Sequence, residues 1–126
     1  MTLTLSSNMF KIYARAIITD DQQRVLLLKK NAHQKISPNA WMVPGWTLEF
    51  GEDIEDMLYR EVLEEVGLTV LSHKFITTQK MIIGDTHWVG LYYLCTTKDF
   101  AHQKYGTRKT WKSWLGWYRS ITRNGG

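Results

Sequence analysis

Three glutamates, Glu61, Glu64 and Glu65, lie close together near the end of one amphipathic stretch of the sequence. At about 100° per residue of an α-helix, their carboxylates fall within an arc of roughly 100°, beside the apolar stripe rather than opposite it. Spacings of three and four residues bring neighbouring side chains within reach of each other. Carboxylates held together near a core repel one another, and burial raises their pKa values. The pattern therefore predicts a site for a hard cation such as Mg²⁺, which prefers carboxylate oxygens and retains waters.

The same stretch also has a simpler interpretation, in which the carboxylates form a solvated acidic face. Arg60 lies four residues before Glu64, so the two can form an ion pair along the helix. Acidic runs are common on protein surfaces, and the helix alone favours this interpretation. Arg60 can instead orient a carboxylate, with Glu52 as its partner. The spacing of the whole motif, rather than of the helix alone, favours the metal site over the solvated acidic face.

That spacing resembles the signature of the Nudix hydrolase family, G-x5-E-x7-R-E-U-x-E-E-x-G-U, in which U is a bulky apolar residue. The match is near-complete over residues 46–68, with Trp46 in place of the first glycine. Glu52 is followed by seven residues and then by Arg60-Glu61-Val62-Leu63-Glu64-Glu65-Val66-Gly67-Leu68. The segments 41–45 and 48–52 also resemble the family's approach to this motif, and the resemblance covers about residues 12–97.

The resemblance implies an α/β protein, an α/β/α sandwich around a mixed β-sheet. It also implies a Mg-dependent pyrophosphohydrolase. Such an enzyme hydrolyses a nucleoside diphosphate linked to a moiety X, giving a nucleoside monophosphate and phosphorylated X. The substrate would be a nucleoside triphosphate, a nucleotide sugar or a similar compound, and the cofactor would be Mg²⁺, with Mn²⁺ as the alternative. Loops outside the motif set specificity, so the sequence does not identify the nucleotide.

Positions that match the family motif give the expected site residues. The catalytic set would be Glu61, Arg60 and Glu52, with Glu52 and Arg60 as the pair that orients the helix. The resemblance implies Glu61, Glu65 and Glu64 as metal ligands, together with the main-chain carbonyl of Gly45. It does not identify the general base.

Two departures from the family pattern keep a second function open. Trp46 replaces a glycine, whose conformational freedom allows a tight turn and close approach of a ligand. A damaged loop is the favoured interpretation, because a bulky residue is a poor substitute where φ is positive; stacking of the indole on a base is the alternative. The second departure is that Asp99 is the last acidic residue of the chain. Both departures favour a catalytically impaired Nudix-fold nucleotide-binding module as the alternative function.

The elements that must position the motif follow from the hydrophobic pattern. Residues 13–19 and 24–30 predict two strands joined by a polar turn, and residues 41–43 form a short apolar segment. A helix is expected from about residue 53 to 66, capped by Asp53 and ended by Gly67. Strand-like runs follow at 69–71, 75–78 and 87–95. Beyond them, one aromatic group fits either a short helix or an exposed patch: Trp111, Trp114, Trp117 and Tyr118.

Composition and length predict one globular domain in the cytoplasm. A chain of 126 residues with 44% hydrophobic residues suits a single domain. The lone Cys95 excludes an internal disulfide framework and is expected in the core. The sequence contains no apolar run of about 18 residues, so no membrane span is predicted. The first residues lack a basic segment followed by a long apolar run, so we expect no signal peptide.

The net charge of +4 is unevenly distributed along the chain. Residues 100–126 contain six basic residues and no acidic one, whereas residues 1–99 contain ten basic and twelve acidic ones. A basic segment can attract phosphates, but a solvated tail is the favoured interpretation and no nucleic-acid partner is expected. We interpret residues 1–99 as the Nudix hydrolase domain core and residues 100–126 as a divergent or truncated closing element of the same domain. The expected partner is a nucleotide-derived small molecule, without a membrane, and a homodimer stays open.

Overall fold

A computed structural model describes residues 8–30, 40–98, 107–109 and 113–119, in which a mixed β-sheet packs against one helical stretch. The elements are β1 Met9–Thr19, β2 Arg24–Lys30, β3 Trp41–Met42, β4 Gly45–Thr47, α1 Ile54–Glu61, a π-helical segment Val62–Val66, β5 Thr69–Ile83, β6 Thr86–Lys98, β7 Thr107–Lys109 and β8 Ser113–Arg119. The sheet has the strand order β5-β6-β1-β2-β8-β7, with β3 paired to β2 and β4 paired to β1. Only the pairing of β1 with β6 is parallel among these strands. The predicted α/β fold with a mixed sheet is confirmed.

The first hairpin closes on the carboxylate of Asp20, as the polar turn predicts. Its Oδ1 accepts hydrogen bonds from the main-chain N–H groups of Gln22 and Arg24, at 2.9 and 2.8 Å. Its Oδ2 also accepts a bond from Arg24 Nε at 2.5 Å. Side chains that satisfy turn backbone in this way favour asparagine and aspartate at such positions. The turn thereby places β2 beside β1.

Local signals place the start and end of the helical stretch correctly. The Asp53 side chain accepts hydrogen bonds from the N–H groups of Glu55 and Asp56, at 2.9 and 3.1 Å. Gly67 ends the stretch with a left-handed φ of 78°, a conformation that glycine adopts without steric cost. The prediction of a single α-helix to Val66 is wrong in its last part, because the backbone is π-helical from Val62 to Val66. Such widened turns are frequent at functional sites.

The core lies between this helical stretch and one face of the sheet. Along β1, Ala14, Ala16 and Ile18 are fully buried and alternate with residues that face the other side of the sheet. Two of the three are alanines, so the helix can pack closely over them. The helical stretch contributes its own buried apolar side chains: Met57, Leu58, Val62 and Val66. Burial on this face fixes the rotation of the helix and therefore the side on which its carboxylates emerge.

The lone cysteine is a core residue, as expected. Cys95 is fully buried, and burial raises the pKa of its thiol to about 12. At pH 8 the thiolate fraction in the folded protein is therefore on the order of a thousandfold below that of an ordinary thiol. We expect a disulfide reagent to label the native chain at least that much more slowly than the chain in denaturant. Fast labelling of the native protein would show that Cys95 is accessible.

Two predictions about the strands need correction. The runs at 69–71 and 75–78 belong to one strand, β5, whose register is interrupted between Val70 and Ser72 and again between Phe75 and Thr77. Such irregularities break the alternation by which a strand is recognised. Residues 113–119 form the strand β8 against β2, so the short-helix interpretation is wrong for Trp114, Trp117 and Tyr118.

Some expectations lie outside the described residues or go untested. These include the loop at 31–39 and the position of Trp111. The domain boundary at residue 99 stays a prediction, although β8 belongs to the same sheet as β1. Across the residues that the structure describes, no helix is long and apolar enough to span a membrane.

Candidate active site

Arg60 links the two ends of the motif. Its Nη2 donates to Glu52 Oε2 at 2.5 Å, and its Nη1 donates to Glu61 Oε1 at 2.8 Å. Glu52 Oε1 in turn accepts the main-chain N–H of Glu49 at 2.8 Å, so this carboxylate is held between the loop and the helix. The hydrogen bond to Glu52 is the main reason that the pKa of Arg60 is raised. The expected pairing of Arg60 with Glu52 is thus present, and it ties the loop before α1 to the end of that helix.

Glu61 and Glu65 are two carboxylates of the site that lie close enough for the charge of one to affect the pKa of the other. Burial raises the pKa of Glu61, the negative charge of Glu65 raises it further, and the Arg60 guanidinium partly offsets both. Glu65 is half-buried, within the π-helical segment. Two half-buried carboxylates that disfavour each other's charge are the arrangement that a divalent cation stabilises.

The structure separates Glu64 from these two carboxylates by exposure. The Glu64 side chain is 58% exposed, against 17% for Glu61, and its Oε2 lies 3.5 Å from Arg60 Nη1. The expectation that the three glutamates share one arc assumes a regular α-helix. It does not apply to Glu64 and Glu65, because they lie in the π-helical segment. Its role as a metal ligand stays a prediction.

Gly45, the proposed carbonyl ligand, lies in β4 opposite Arg15 of β1. A Cβ atom at this position would approach Arg15 Cγ to 2.8 Å and the carbonyl oxygen of Ala14 to 3.1 Å. Glycine therefore allows the close approach of β4 to β1. Its role as a ligand also stays a prediction.

The donor chemistry of these residues fits a hard divalent cation, although a complete ligand set is not gathered. Within residues 8–30, 40–98, 107–109 and 113–119, no three histidine, cysteine, aspartate or glutamate side chains are grouped to hold a metal ion. Glu61 and Glu65 offer carboxylate oxygens in a partly desolvated place, and burial, followed by the charge of Glu65, raises the pKa of Glu61. This pair is consequently the part of the site best suited to Mg²⁺ or Mn²⁺.

Trp46 occupies a regular strand position rather than a strained turn. It lies in β4 opposite Ala14, and among the described non-glycine residues a positive φ occurs only at Gln23. The reason for expecting a damaged loop is therefore wrong. The indole Nε1 of Trp46 donates a hydrogen bond to Glu65 Oε2 at 2.7 Å.

A cavity of about 490 Å³ opens on the other face of the sheet from the helix. Trp46 lies between two residues, Gly45 and Thr47, that share this face with Tyr13 and Arg15. Trp46 also lines the cavity, and its indole donates to Glu65, so β4 connects the cavity with the carboxylates. Its walls are mainly aromatic, apolar and cationic: Tyr13, Arg15, Met42, Met81, Ile83 and Trp88.

The sequence analysis did not single out this cavity or the residues around Arg15. Arg15 donates through Nη1 to the carbonyl of Val43 at 2.9 Å, and its guanidinium lies 5.3 Å from the centroid of the Tyr13 ring. The available signal was a charged residue, Arg15, within the apolar run of residues 13–18. The partners across the cavity come from two distant strands, β5 and β6, and no local pattern indicates them.

We expect Arg60→Lys to lower kcat by about 10- to 100-fold, the range for loss of a residue that orients metal ligands. Lysine retains the charge but lacks the fork that reaches Glu52 and Glu61 together. Arg60 is half exposed, so the melting temperature should change little. Steady-state kinetics and thermal unfolding measure the two effects, with Lys74→Arg on β5 as the control. Unchanged kcat would exclude an orienting role for the fork.

The comparisons with known proteins agree with the fold and the motif. A family model described as "NUDIX domain" matches residues 9–117. The MutT protein from Methanosarcina mazei Go1 superposes with a TM-score of 0.73 at 16% identity, covering 90% of this chain and 79% of that chain. The MutT NUDIX hydrolase from Burkholderia pseudomallei superposes with a TM-score of 0.70 at 22% identity, covering 93% of both chains. At these identities the structures show a shared fold.

The chain belongs to the NUDIX domain family, since the family model matches most of its length. It is also similar to an RNA pyrophosphohydrolase from Acinetobacter baylyi, with 39% identity over 64 residues. That match covers 51% of this chain and 36% of the relative. The matched part of the chain thus spans between about a fifth and just over a third of the length of the curated relatives.

Proposed function

We propose that this protein is a Nudix pyrophosphohydrolase of a nucleoside diphosphate linked to a moiety X. The observation that carries the proposal is the half-buried pair of Glu61 and Glu65 at the end of a helix that Arg60 ties to Glu52. A solvated acidic face would have no reason to bury one of its carboxylates beside another. The family membership supports the same reaction class.

The proposed roles of the side chains follow from their positions. Glu61 and Glu65 would hold Mg²⁺, or Mn²⁺, with Glu64 and the carbonyl of Gly45 as further ligands. When bound, the metal polarises phosphoryl oxygens and lowers the pKa of a coordinated water. Arg60 would keep Glu61 ionised and aimed at the site through their 2.8 Å hydrogen bond. The general base stays unassigned.

The cavity beside β4 is the proposed place for the nucleoside. Its volume of about 490 Å³ lies within the usual range for small-molecule sites. The Tyr13 and Trp88 rings, whose centroids are 6.0 Å apart, offer aromatic surface for a base. Arg15 adds a positive charge on the same side, which favours a phosphorylated ligand.

The alternative function is a Nudix-fold nucleotide-binding module without catalysis. One of its two supports was the expected damage at Trp46, and the extended backbone there removes that reason. The other support, the lack of acidic residues after Asp99, remains. The basic tail and the relatives named RNA pyrophosphohydrolases favour a nucleotide at the end of an RNA as one substrate to include. The cytoplasmic location and the homodimer stay predictions.

The test is product release by the purified chain over a panel of nucleotide compounds with Mg²⁺ or Mn²⁺. The panel should contain nucleoside triphosphates, nucleotide sugars, ADP-ribose and an RNA with a 5′-triphosphate. Release of a nucleoside monophosphate or of pyrophosphate supports the enzyme and names its substrate class. Binding of a nucleotide without turnover, for folded protein with metal present, would replace the enzyme by the binding module.

A further inference from the structure

We propose that Trp46 is a positioning residue for Glu65, an inference that rests on the function proposed above. The indole Nε1 donates to Glu65 Oε2 at 2.7 Å, across 19 residues of sequence and between β4 and the helical stretch. Indole N–H is only a donor, so it can serve the ionised carboxylate directly. The bond engages Oε2 and thereby restricts the orientation of the Glu65 carboxylate.

The Trp46 ring is well placed to hold that carboxylate still. β4 pairs with β1, and the partner of Trp46 there is Ala14, which is fully buried. The Trp46 side chain packs against the hydrophobic core and is only partly exposed. A donor fixed by packing costs little conformational entropy when it orients its partner. The strand β4 thus supplies a donor for Glu65 from outside the helical stretch.

The hydrogen bond to Glu65 gives a structural role to Trp46, the residue that replaces the first glycine of the family motif. A glycine at position 46 would provide no side-chain donor for Glu65. Partners that hydrogen-bond to metal-ligating carboxylates commonly change metal affinity or activity by about 10- to 100-fold. Trp46 therefore strengthens the site from the strand side, while Arg60 acts on Glu61 from the helix side.

The first readout is spectroscopic and needs no turnover. The indole N–H resonance of Trp46, identified by its loss in Trp46→Phe, should lie downfield and should move when Mg²⁺ is added to the native protein. In Glu65→Gln the same resonance should shift upfield and respond less to Mg²⁺. Trp41→Phe, on β3 and half exposed, is the control and should leave the Trp46 resonance and its metal response unchanged.

The second readout is metal affinity, measured by calorimetry with Mg²⁺ and by Mn²⁺ resonance. We expect Trp46→Phe, which retains an aromatic ring but lacks the donor, to weaken metal binding about tenfold. Trp41→Phe should bind metal like the native protein. In a Glu65→Ala background, which lacks the acceptor, Trp46→Phe should have no further effect on metal affinity, because Trp46 acts through Glu65.

Two results would overturn the inference. One is a Trp46 resonance that is insensitive both to Mg²⁺ and to Glu65→Gln in folded protein. The other is a native-like metal affinity of Trp46→Phe. Either result, with a native protein that binds metal and hydrolyses nucleotide, rejects the role of Trp46 and retains the proposed function. A native protein that neither binds metal nor turns over nucleotide rejects the function itself.

Discussion

Glu65→Gln should reduce kcat by about a hundredfold or more, the loss expected when several kcal/mol of electrostatic stabilisation disappear at a phosphoryl centre. Glutamine has nearly the same shape, and its carbonyl oxygen can still accept the hydrogen bond from Trp46. The change removes the negative charge of Glu65, which disfavours the ionised form of Glu61 in the native protein. Without metal, the melting temperature should therefore stay the same or rise.

Steady-state kinetics and thermal unfolding with and without Mg²⁺ measure these effects together. Mg²⁺ should stabilise the native protein by mass action and should stabilise Glu65→Gln much less. Asp56→Asn is the control, because Asp56 is exposed in the first turn of α1, far along the helix from Glu65. Retention of most of the kcat in Glu65→Gln, with Asp56→Asn unchanged, would remove Glu65 from the site.

Gly90→Ala adds only one methyl group, yet it should clearly lower the free energy of unfolding. Gly90 of β6 pairs with Tyr13 of β1, and a Cβ atom at position 90 would overlap the Tyr13 ring. The Tyr13 ring packs against Trp88, Tyr92 and the Arg15 guanidinium, so its displacement disrupts these contacts. Overpacking of this kind costs about 1–3 kcal/mol of unfolding free energy. The displaced ring also lines the cavity, so nucleotide binding should weaken as well.

Chemical denaturation of Gly90→Ala measures the loss, and the double variant Gly90→Ala with Tyr13→Ala identifies its cause. If the overlap with Tyr13 is responsible, the double variant loses clearly less stability than the sum of the two single variants. An additive double variant would show that the cost arises elsewhere, for example from the backbone of β6.

Local signals in the sequence determined the elements around the motif. Asp53 and Gly67 mark the start and end of the helical stretch, because capping depends on residues within a few positions of each other. The polar turn at Asp20 and the apolar runs at 13–19 and 24–30 likewise predicted the first hairpin. The fixed spacing of Glu52, Arg60 and the glutamates indicated the NUDIX family. Each of these features depends on near neighbours in the chain.

The tertiary structure decided which of those residues meet and how they are exposed. In the tertiary structure Glu64 is exposed and Glu65 is half-buried, a difference that their shared arc on a regular helix did not indicate. Residues 113–119 pair with β2, a contact across more than 80 residues that their aromatic spacing did not indicate. Trp46 was expected to damage a loop, yet the pairing of β4 with β1 turns its indole toward Glu65. These outcomes depend on strand pairing and on packing against a shared core, and neither is encoded in the spacing of neighbouring residues.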